Sequence, residues 1–418
     1  MSRSLKQEQV RNVPLLARLR SLFSGLRGHG AQRDRAGNRT LHYDDYCLLI
    51  LLALFSPVEL SLRRIIQISD VKKVKRKLGI SRTSLGSFSE SSHLFDPALL
   101  EPLIAELAGQ LPSLTNDPRL SDLRHVVTLV DGTLLRALPR IAEAMWLSTP
   151  SGTVHHAFRL HTQLELDRHV PTQLVLTDGR NSGPSDEKAV LLHHLQKDRC
   201  YVMDRWYAQF ALFNQIHAIG SSYVCRVRDN STYTTLQDSA LSDADQQAGV
   251  ISDQVVNLGQ KQSGRIMPDH PVRLVCVQAR PHQKRSNRKG HSGAGPSDGV
   301  IRIASNLLDV PAEIVALLYR YRYTIELFFR FFKQALGCNH LLSDHPNGIR
   351  IQTYCAVIAS ILIQLHTHRR AEKSTQFMIG LYLSGVAELE ELLAYVNRPD
   401  RRGVKQRARD ELWKKLGW

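Results

Sequence analysis

Three carboxylates and one helix rich in basic and aromatic residues are the parts of this 418-residue sequence best suited to chemistry. Asp131 closes the apolar, β-branched run His125 to Val130 and is followed by Gly132-Thr133, while Asp204 closes the short run Cys200 to Met203. A buried strand fixes the carboxylate at its end, and two neighbouring strand ends bring such groups to one edge. The third acid, Glu326, lies in Tyr319-Arg320-Tyr321-Arg322-Tyr323-Thr324-Ile325-Glu326-Leu327-Phe328-Phe329-Arg330-Phe331-Phe332-Lys333. Projected at about 100° per residue, Tyr319, Arg322, Glu326, Arg330 and Lys333 fall within roughly an 80° arc. The rest of the circumference is nearly all Leu, Ile, Phe, Tyr and Ala, so burial is predicted, with the polar arc facing a cleft or a charged ligand. The bland alternative is a ladder of Arg322, Glu326 and Arg330 on an exposed stripe. A carboxylate flanked by three cations is over-neutralised until an anion such as a phosphate joins them. Three hard oxygen donors converging on one point suit two divalent ions about 3.5–4 Å apart, the arrangement that cleaves phosphodiesters. Taken singly, a strand-end Asp is more often a turn or cap residue; it is the combination of the three acids that points to a metal site.

The elements around these groups turn from helical to strand-like near residue 125. Phe158 to Leu166 alternates, Asp167 to Pro171 makes a turn, and Thr172 to Thr177 returns as a strand. Asp186 to Leu195 reads as a helix, Cys200 to Met203 as a strand, Tyr207 to Ile219 as a helix and Tyr223 to Val227 as a strand. This order predicts an α/β fold with a ribonuclease-H-like mixed sheet, although other α/β folds share it. Five units are expected: a helical, basic, DNA-binding region at 1–118, the first part of a catalytic core at 119–228, a β-rich insertion at 229–300, the second part of the core at 301–375, and a basic helical region at 376–418 that contains Arg398, Arg401, Arg402, Lys405, Arg407 and Arg409.

The balance of 55 Lys and Arg against 39 Asp and Glu, a formal net charge of +16, points to a polyanionic partner. Residues 1 to about 40 predict a mobile basic arm around an amphipathic stretch, Val13 to Leu26. Asp44 reads as the N-cap of a helix running to Pro57, and a second helix starts near Ser61. Val71 to Leu85 has the helix, Gly turn and second helix of a helix-turn-helix, with Arg82 and Thr83 as candidates for reading bases; an ordinary basic helix ended by Gly79 fits as well. The six cysteines form no C-x-x-C pair and read as small buried hydrophobes in a reducing compartment. The N-terminus carries no apolar stretch with a small-residue cleavage site, and the longest apolar run, Cys47 to Phe55, is too short to cross a bilayer. The expectation is a cytoplasmic, nucleoid-associated protein with no membrane partner. No G-x-x-x-x-G-K-[ST] loop is present, and the paired histidines lack the partners of a zinc site.

Tyr319-x2-Arg322-x3-Glu326-x6-Lys333 resembles the Y-R-E-K signature of bacterial insertion-sequence transposases in the family named for insertion sequence four. Asp131-Gly132-Thr133 is similar to the first catalytic motif of that family, and Asp204-Arg205-Trp206-Tyr207 to the second, where D-R-G-Y is usual. Ser305-Asn306-Leu307 resembles the strand before the signature helix, and the likeness spans about residues 120 to 345. The resemblance implies a DDE triad of Asp131, Asp204 and Glu326 holding magnesium, for which manganese substitutes. It also implies a β-rich insertion and DNA contacts from Tyr319, Arg322 and Lys333, with Arg330 on the same arc. The implied activity is cut-and-paste cleavage and strand transfer on double-stranded DNA, the terminal inverted repeats and the target, by a homodimer in a synaptic complex. Two departures stand out: Tyr323 replaces a common Trp, and Trp206 replaces a Gly, which is expected to crowd the site. A catalytically silent DNA-binding protein and a structure-selective nuclease are the competing readings. The three acids favour an enzyme, and the Y-R-E-K arc favours strand transfer.

Overall fold

Among the described residues, the N-terminal apolar and basic stretches form the α-helices α1 (Tyr43–Leu54), α2 (Leu62–Asp70), α3 (Lys72–Leu78), α4 (Leu85–Leu94) and α5 (Glu101–Gly109). The structure, a computed structural model, describes residues 20–29, 38–55, 61–114, 117–136, 146–148, 154–259, 266–278, 299–334, 341–343 and 345–398. Helix α1 is apolar almost all round and is buried accordingly, with Tyr43 stacked on Phe95 at 4.4 Å. Its N-cap is His42 instead of Asp44. Asp44 and Asp45 fall in the first helical turn, buried, and hold Arg27 at 3.0 Å and Arg20 at 3.3 Å. These pairs, with the burial of Phe23 and Leu26, fasten residues 20–29 to α1, so this part of the expected mobile arm is packed, and residues 1–19 lie outside the described residues. Helix α3 ends on Gly79 at φ 64°, and Ser84 caps α4 by accepting the Ser87 N–H at 3.0 Å.

The sheet begins with β1 (Val126–Arg136), β2 (Trp146–Ser148), β3 (Val154–Glu165) and β4 (Val170–Asp178). Helix α6 (Glu187–His193), β5 (Arg199–Met203), α7 (Phe210–Ala218) and β6 (Ser222–Arg226) follow. β3 lies antiparallel between β1 and β4, while β5 runs parallel to β1 and β6 parallel to β5. That is the mixed, ribonuclease-H-like arrangement the element order predicts. The region read as an insertion supplies β7 (Tyr233–Asp238), α8 (Asp243–Gln247), β8 (Val250–Leu258) and β9 (Val272–Gln278). These strands are not a detached unit. β9 pairs with β10 (Val300–Ser305), which pairs with β6, so the sheet runs on in the order β2-β3-β1-β5-β6-β10-β9-β8-β7. The basic loop at 281–297 lies outside the described residues.

Alternation along β1 and β5 sends Leu129, Cys200 and Val202 to one face and Val130, Tyr201 and Met203 to the other. The first face is covered by α9 (Ala312–Tyr321) and α10 (Tyr323–Gln334), and the second by α6 and α7. Helix α11 (Pro346–Thr367) is long and apolar enough to cross a membrane, but it is mostly buried inside the protein, against α1 and α5. It is not the longest uninterrupted apolar run in the sequence because Gln352, Ser360 and Gln364 interrupt it; all three are buried. Helices α12 (Lys373–Ser384) and α13 (Leu389–Val396) close the described chain. Arg398 lies over Tyr395 at 5.2 Å, and the remaining C-terminal arginines and lysines are outside the described residues. The five described cysteines are free and buried, as expected, and Cys338 is outside them.

Candidate active site

Asp131 is not at the end of its strand, as its neighbours suggested, but in the middle of β1. The parallel register explains why it is still at an edge. Val126 pairs with Arg199 and Leu129 with Val202, after which β1 continues with β3 as its partner, Asp131 opposite Thr162 and Gly132 opposite His161. Two residues beyond Leu129 is Asp131, and two residues beyond Val202 is Asp204, so the two carboxylates share one level where the sheet opens between β1 and β5. The chain turns away from the sheet there because Asp204 caps the short turn Arg205–Tyr207, accepting the Trp206 N–H at 2.8 Å. This is the carboxyl end of β5 and of its parallel pairing with β1, the side on which open α/β sheets bind ligands.

Asp131 points to the face of α9 and α10. The two helices are not one: the ladder tightens at Arg322, whose N–H reaches Tyr319 O at 3.1 Å, and Ile325 N–H reaches Arg322 O at 3.2 Å. The single arc projected from Tyr319 to Lys333 is therefore bent. Arg322, at the bend, lies 3.9 Å from the Asp131 carboxylate and donates to Glu326 Oε1. It is the link between β1 and the third acid. Tyr319, on α9 and largely buried, interacts with Arg322, Arg226 and Asp204, and burial pushes its phenol up. Beyond the bend, α10 is less buried than its composition predicts: Tyr323 is 46% and Leu327 37% exposed. Arg330 is exposed and donates to the Tyr323 hydroxyl at 3.1 Å, and Lys333 stands half-buried in the last turn.

Electrostatics single out Asp131. Burial raises its carboxyl from 3.8 to about 7; Arg322 and the Gly132 N–H at 2.8 Å oppose the rise, and Asp204 and Glu187 add to it. Glu187, which sequence reasoning passed over, is buried at the start of α6 and raised by burial and by Asp204, against the opposing pull of Arg159. Its ion pair with Arg159 and hydrogen bond with Tyr207 hold it under the strand. Gly132 was the available signal: a Cβ there would lie 2.7 Å from Glu187 Oε1, so only glycine leaves room.

Asp131, Asp204 and Glu326 offer hard oxygen donors, the type that a small divalent cation takes. Among the described residues no three Asp, Glu, His or Cys side chains are gathered closely enough to enclose a metal ion, and Arg322 stands where Asp131 and Glu326 face each other. Trp206 does not crowd the site as expected. Its indole is 51% exposed, with Lys188 Nζ 4.8 Å from the ring centre, and it lines an open cavity of about 540 Å³ with Arg205, Arg228, Asp229 and Asn230. In the helix-turn-helix region, Arg82 is exposed near Asp70, but Thr83 is 3% exposed and its N–H is bonded to Ser69 Oγ at 3.2 Å. Thr83 is therefore corrected to a packing residue, since a side chain inside the fold does not reach a groove.

The sequence model of the family described as "Transposase DDE domain" matches residues 122–362. The chain is 24% identical over 261 residues to the putative transposase y4zB of Sinorhizobium fredii, covering 62% of this chain and 65% of that protein. It is 27% identical over 243 residues to a probable transposase for insertion sequence element IS5377 of Geobacillus stearothermophilus, covering 56% of each. The chain thus spans less than two thirds of the length of these relatives. Among solved structures, a piggyBac transposase synaptic complex with hairpin DNA aligns with 95% of this chain and 87% of its own, at a TM-score of 0.43 and 11% identity.

Proposed function

This chain belongs to the transposase DDE domain family, and from that membership we propose that it is a DNA transposase that cleaves the ends of an insertion sequence and joins them to target DNA. The observation that carries the reading is the shared level of Asp131 and Asp204 just beyond the point where the parallel pairing of β1 with β5 ends, with Arg322 tying Asp131 to Glu326. Asp131, Asp204 and Glu326 are the residues that would hold magnesium, or manganese in its place; such an ion supplies polarisation of the phosphodiester and activation of the attacking oxygen. Within the family, the spacing Tyr319-x2-Arg322-x3-Glu326-x6-Lys333 supports the branch named for insertion sequence four.

In this reading Arg322 exchanges its carboxylate partners for a DNA phosphate when substrate arrives, and exposed Arg330 and half-buried Lys333 continue the track along the strand. Tyr319 backs Arg322 and Asp204 from the buried side. Arg82 and exposed Lys72 of α3 hold the terminal inverted repeats, and a homodimer brings two ends together. One observation favours the rival reading of a silent DNA-binding scaffold: the guanidinium of Arg322 occupies the space between Asp131 and Glu326.

The experiment that separates them is incubation of the purified chain with labelled DNA carrying the inverted repeats of its own genomic flanks, with magnesium or manganese. Wild type is expected to nick and join, and Asp131→Asn, Asp204→Asn and Glu326→Gln to bind without cutting. Cleavage by Asp204→Asn at the wild-type rate would remove it from the triad, and binding without cleavage by wild type would favour the silent scaffold.

A further inference from the structure

Glu187 does more than fasten α6 to the sheet. A salt bridge that only joined α6 to β3 would be complete with Arg159 alone, yet the Glu187 carboxylate also bonds the Tyr207 hydroxyl and lies against the backbone of Gly132. Tyr207 ends the turn that Asp204 caps, and Gly132 follows Asp131 in β1. One buried carboxylate therefore contacts both the residue after Asp131 and the end of the turn that Asp204 caps, from the face of the sheet opposite Arg322. Its backbone is held as firmly: the Glu187 N–H donates to Asn181 Oδ1 at 2.9 Å, and Asp186 caps the helix by accepting the Lys188 N–H at 2.9 Å. Arg159 is engaged in the same arrangement through the bond from its Nη1 to the Glu187 carboxylate.

We propose that Glu187 is a positioning residue of the active site: clamped by Arg159 and Tyr207 under Gly132, it fixes the spacing of Asp131 and Asp204 and adds negative charge that strengthens their hold on a divalent cation. The proposal rests on the reading of Asp131 and Asp204 given above. Removing the charge weakens cation binding, and restoring a shorter carboxylate recovers part of it. Filling the Gly132 gap displaces Glu187 and weakens binding in the same way.

The test is titration calorimetry of the full chain with manganese chloride, without DNA, alongside thermal melts in chelator. Glu187→Gln and Gly132→Ala are each expected to bind manganese about tenfold or more weakly, with Glu187→Asp between them and wild type. A residue that only braced the fold would instead lower the melting temperature and leave manganese affinity unchanged. Wild-type affinity in Glu187→Gln, while Asp131→Asn and Asp204→Asn lose binding, overturns the proposal and leaves the site reading standing. Wild-type affinity in the two Asp variants, or no manganese binding by any form, overturns the site reading and the proposal with it. If Glu187→Gln does not fold, Tyr207→Phe is read instead, because it removes only the hydroxyl that holds Glu187. A weaker manganese affinity supports the proposal there, and an unchanged one overturns it.

Discussion

Asp131→Asn is expected to stabilise the metal-free protein, and to do so more at high pH than at low. The folded-state carboxyl is raised from 3.8 to about 7, chiefly by burial. A carboxyl raised in this way leaves stability intact below its unfolded value near 4, and that stability is lost as the pH rises through about 7. Carried to full ionisation the penalty approaches about 4 kcal/mol, and between pH 5 and pH 8 it grows by about 2.5 kcal/mol. Asn at 131 has no charge to bury and escapes that increment, while whatever it gains or loses in hydrogen bonding is the same at both pH values. With about 0.9 kcal/mol/K of unfolding entropy for a chain of this size, the extra gain at pH 8 amounts to about 3 °C. Melts of both proteins in chelator at pH 5 and pH 8 measure it. A melting difference that does not change with pH, or an Asn variant less stable relative to wild type at pH 8 than at pH 5, would refute the reasoning. Excess manganese should reverse the order at pH 8, because a ligand of the folded state stabilises only the protein that binds it.

Arg322→Ala and Lys333→Ala are each expected to weaken binding of an element end across sequences and to take about one phosphate contact from the log-log salt slope; filter binding over a salt series checks this, and unchanged slopes would place these side chains against protein. Arg82→Ala should alter which terminal sequence is preferred in competition binding, whereas Thr83→Ala should leave preference intact and cost about 1 kcal/mol of stability. Arg273→Ala strips a buried partner from Asp253, which Arg273 holds through two hydrogen bonds of 2.7 Å. Its expected cost is about 3–5 kcal/mol, seen as a melting temperature lower by a similar number of degrees, and a fall below about 1 °C would mean that the pair is idle.

Much of the sheet was legible in the sequence because its buried strands are short, β-branched and bounded by turn residues, and because their order leaves few topologies. What was not legible was long-range. The run before Asp131 looked like a strand ending there, since nothing local says that β1 exchanges one partner for none on the β5 side while β3 carries it on to Arg136. Glu187 was invisible for the same reason. It follows a good N-cap residue, Asp186, and reads as an ordinary acidic first turn until the fold sets it against Gly132. Thr83 sits in a basic, polar stretch, and only the packing of α2 against the following turn puts it inside.

The bend at Arg322 joins these local and distant facts. A continuous helix from Tyr319 to Lys333 would set Arg322, Glu326 and Arg330 in one stripe; of that stripe the bent pair of helices keeps the Arg322–Glu326 pair, while Arg330 bonds the Tyr323 hydroxyl. Tightening the ladder by i→i−3 bonds at Arg322 lets α9 stay buried on the sheet while α10 turns Tyr323 and Leu327 outward. The start of α9 is pinned from the insertion strands: Arg273 donates to Leu307 O at 3.0 Å, and Asp245 on α8 accepts the Glu313 N–H at 2.8 Å. With α9 held at that end, the bend decides where Arg322 points, and it points between Asp131 and Glu326. The strands of the insertion therefore act on the candidate site through α9, although they are one sheet neighbour removed from β6 and carry none of its acids. Loosening that anchor, as in Arg273→Ala, is accordingly expected to disturb the Arg322 contact with Asp131 before it disturbs the sheet.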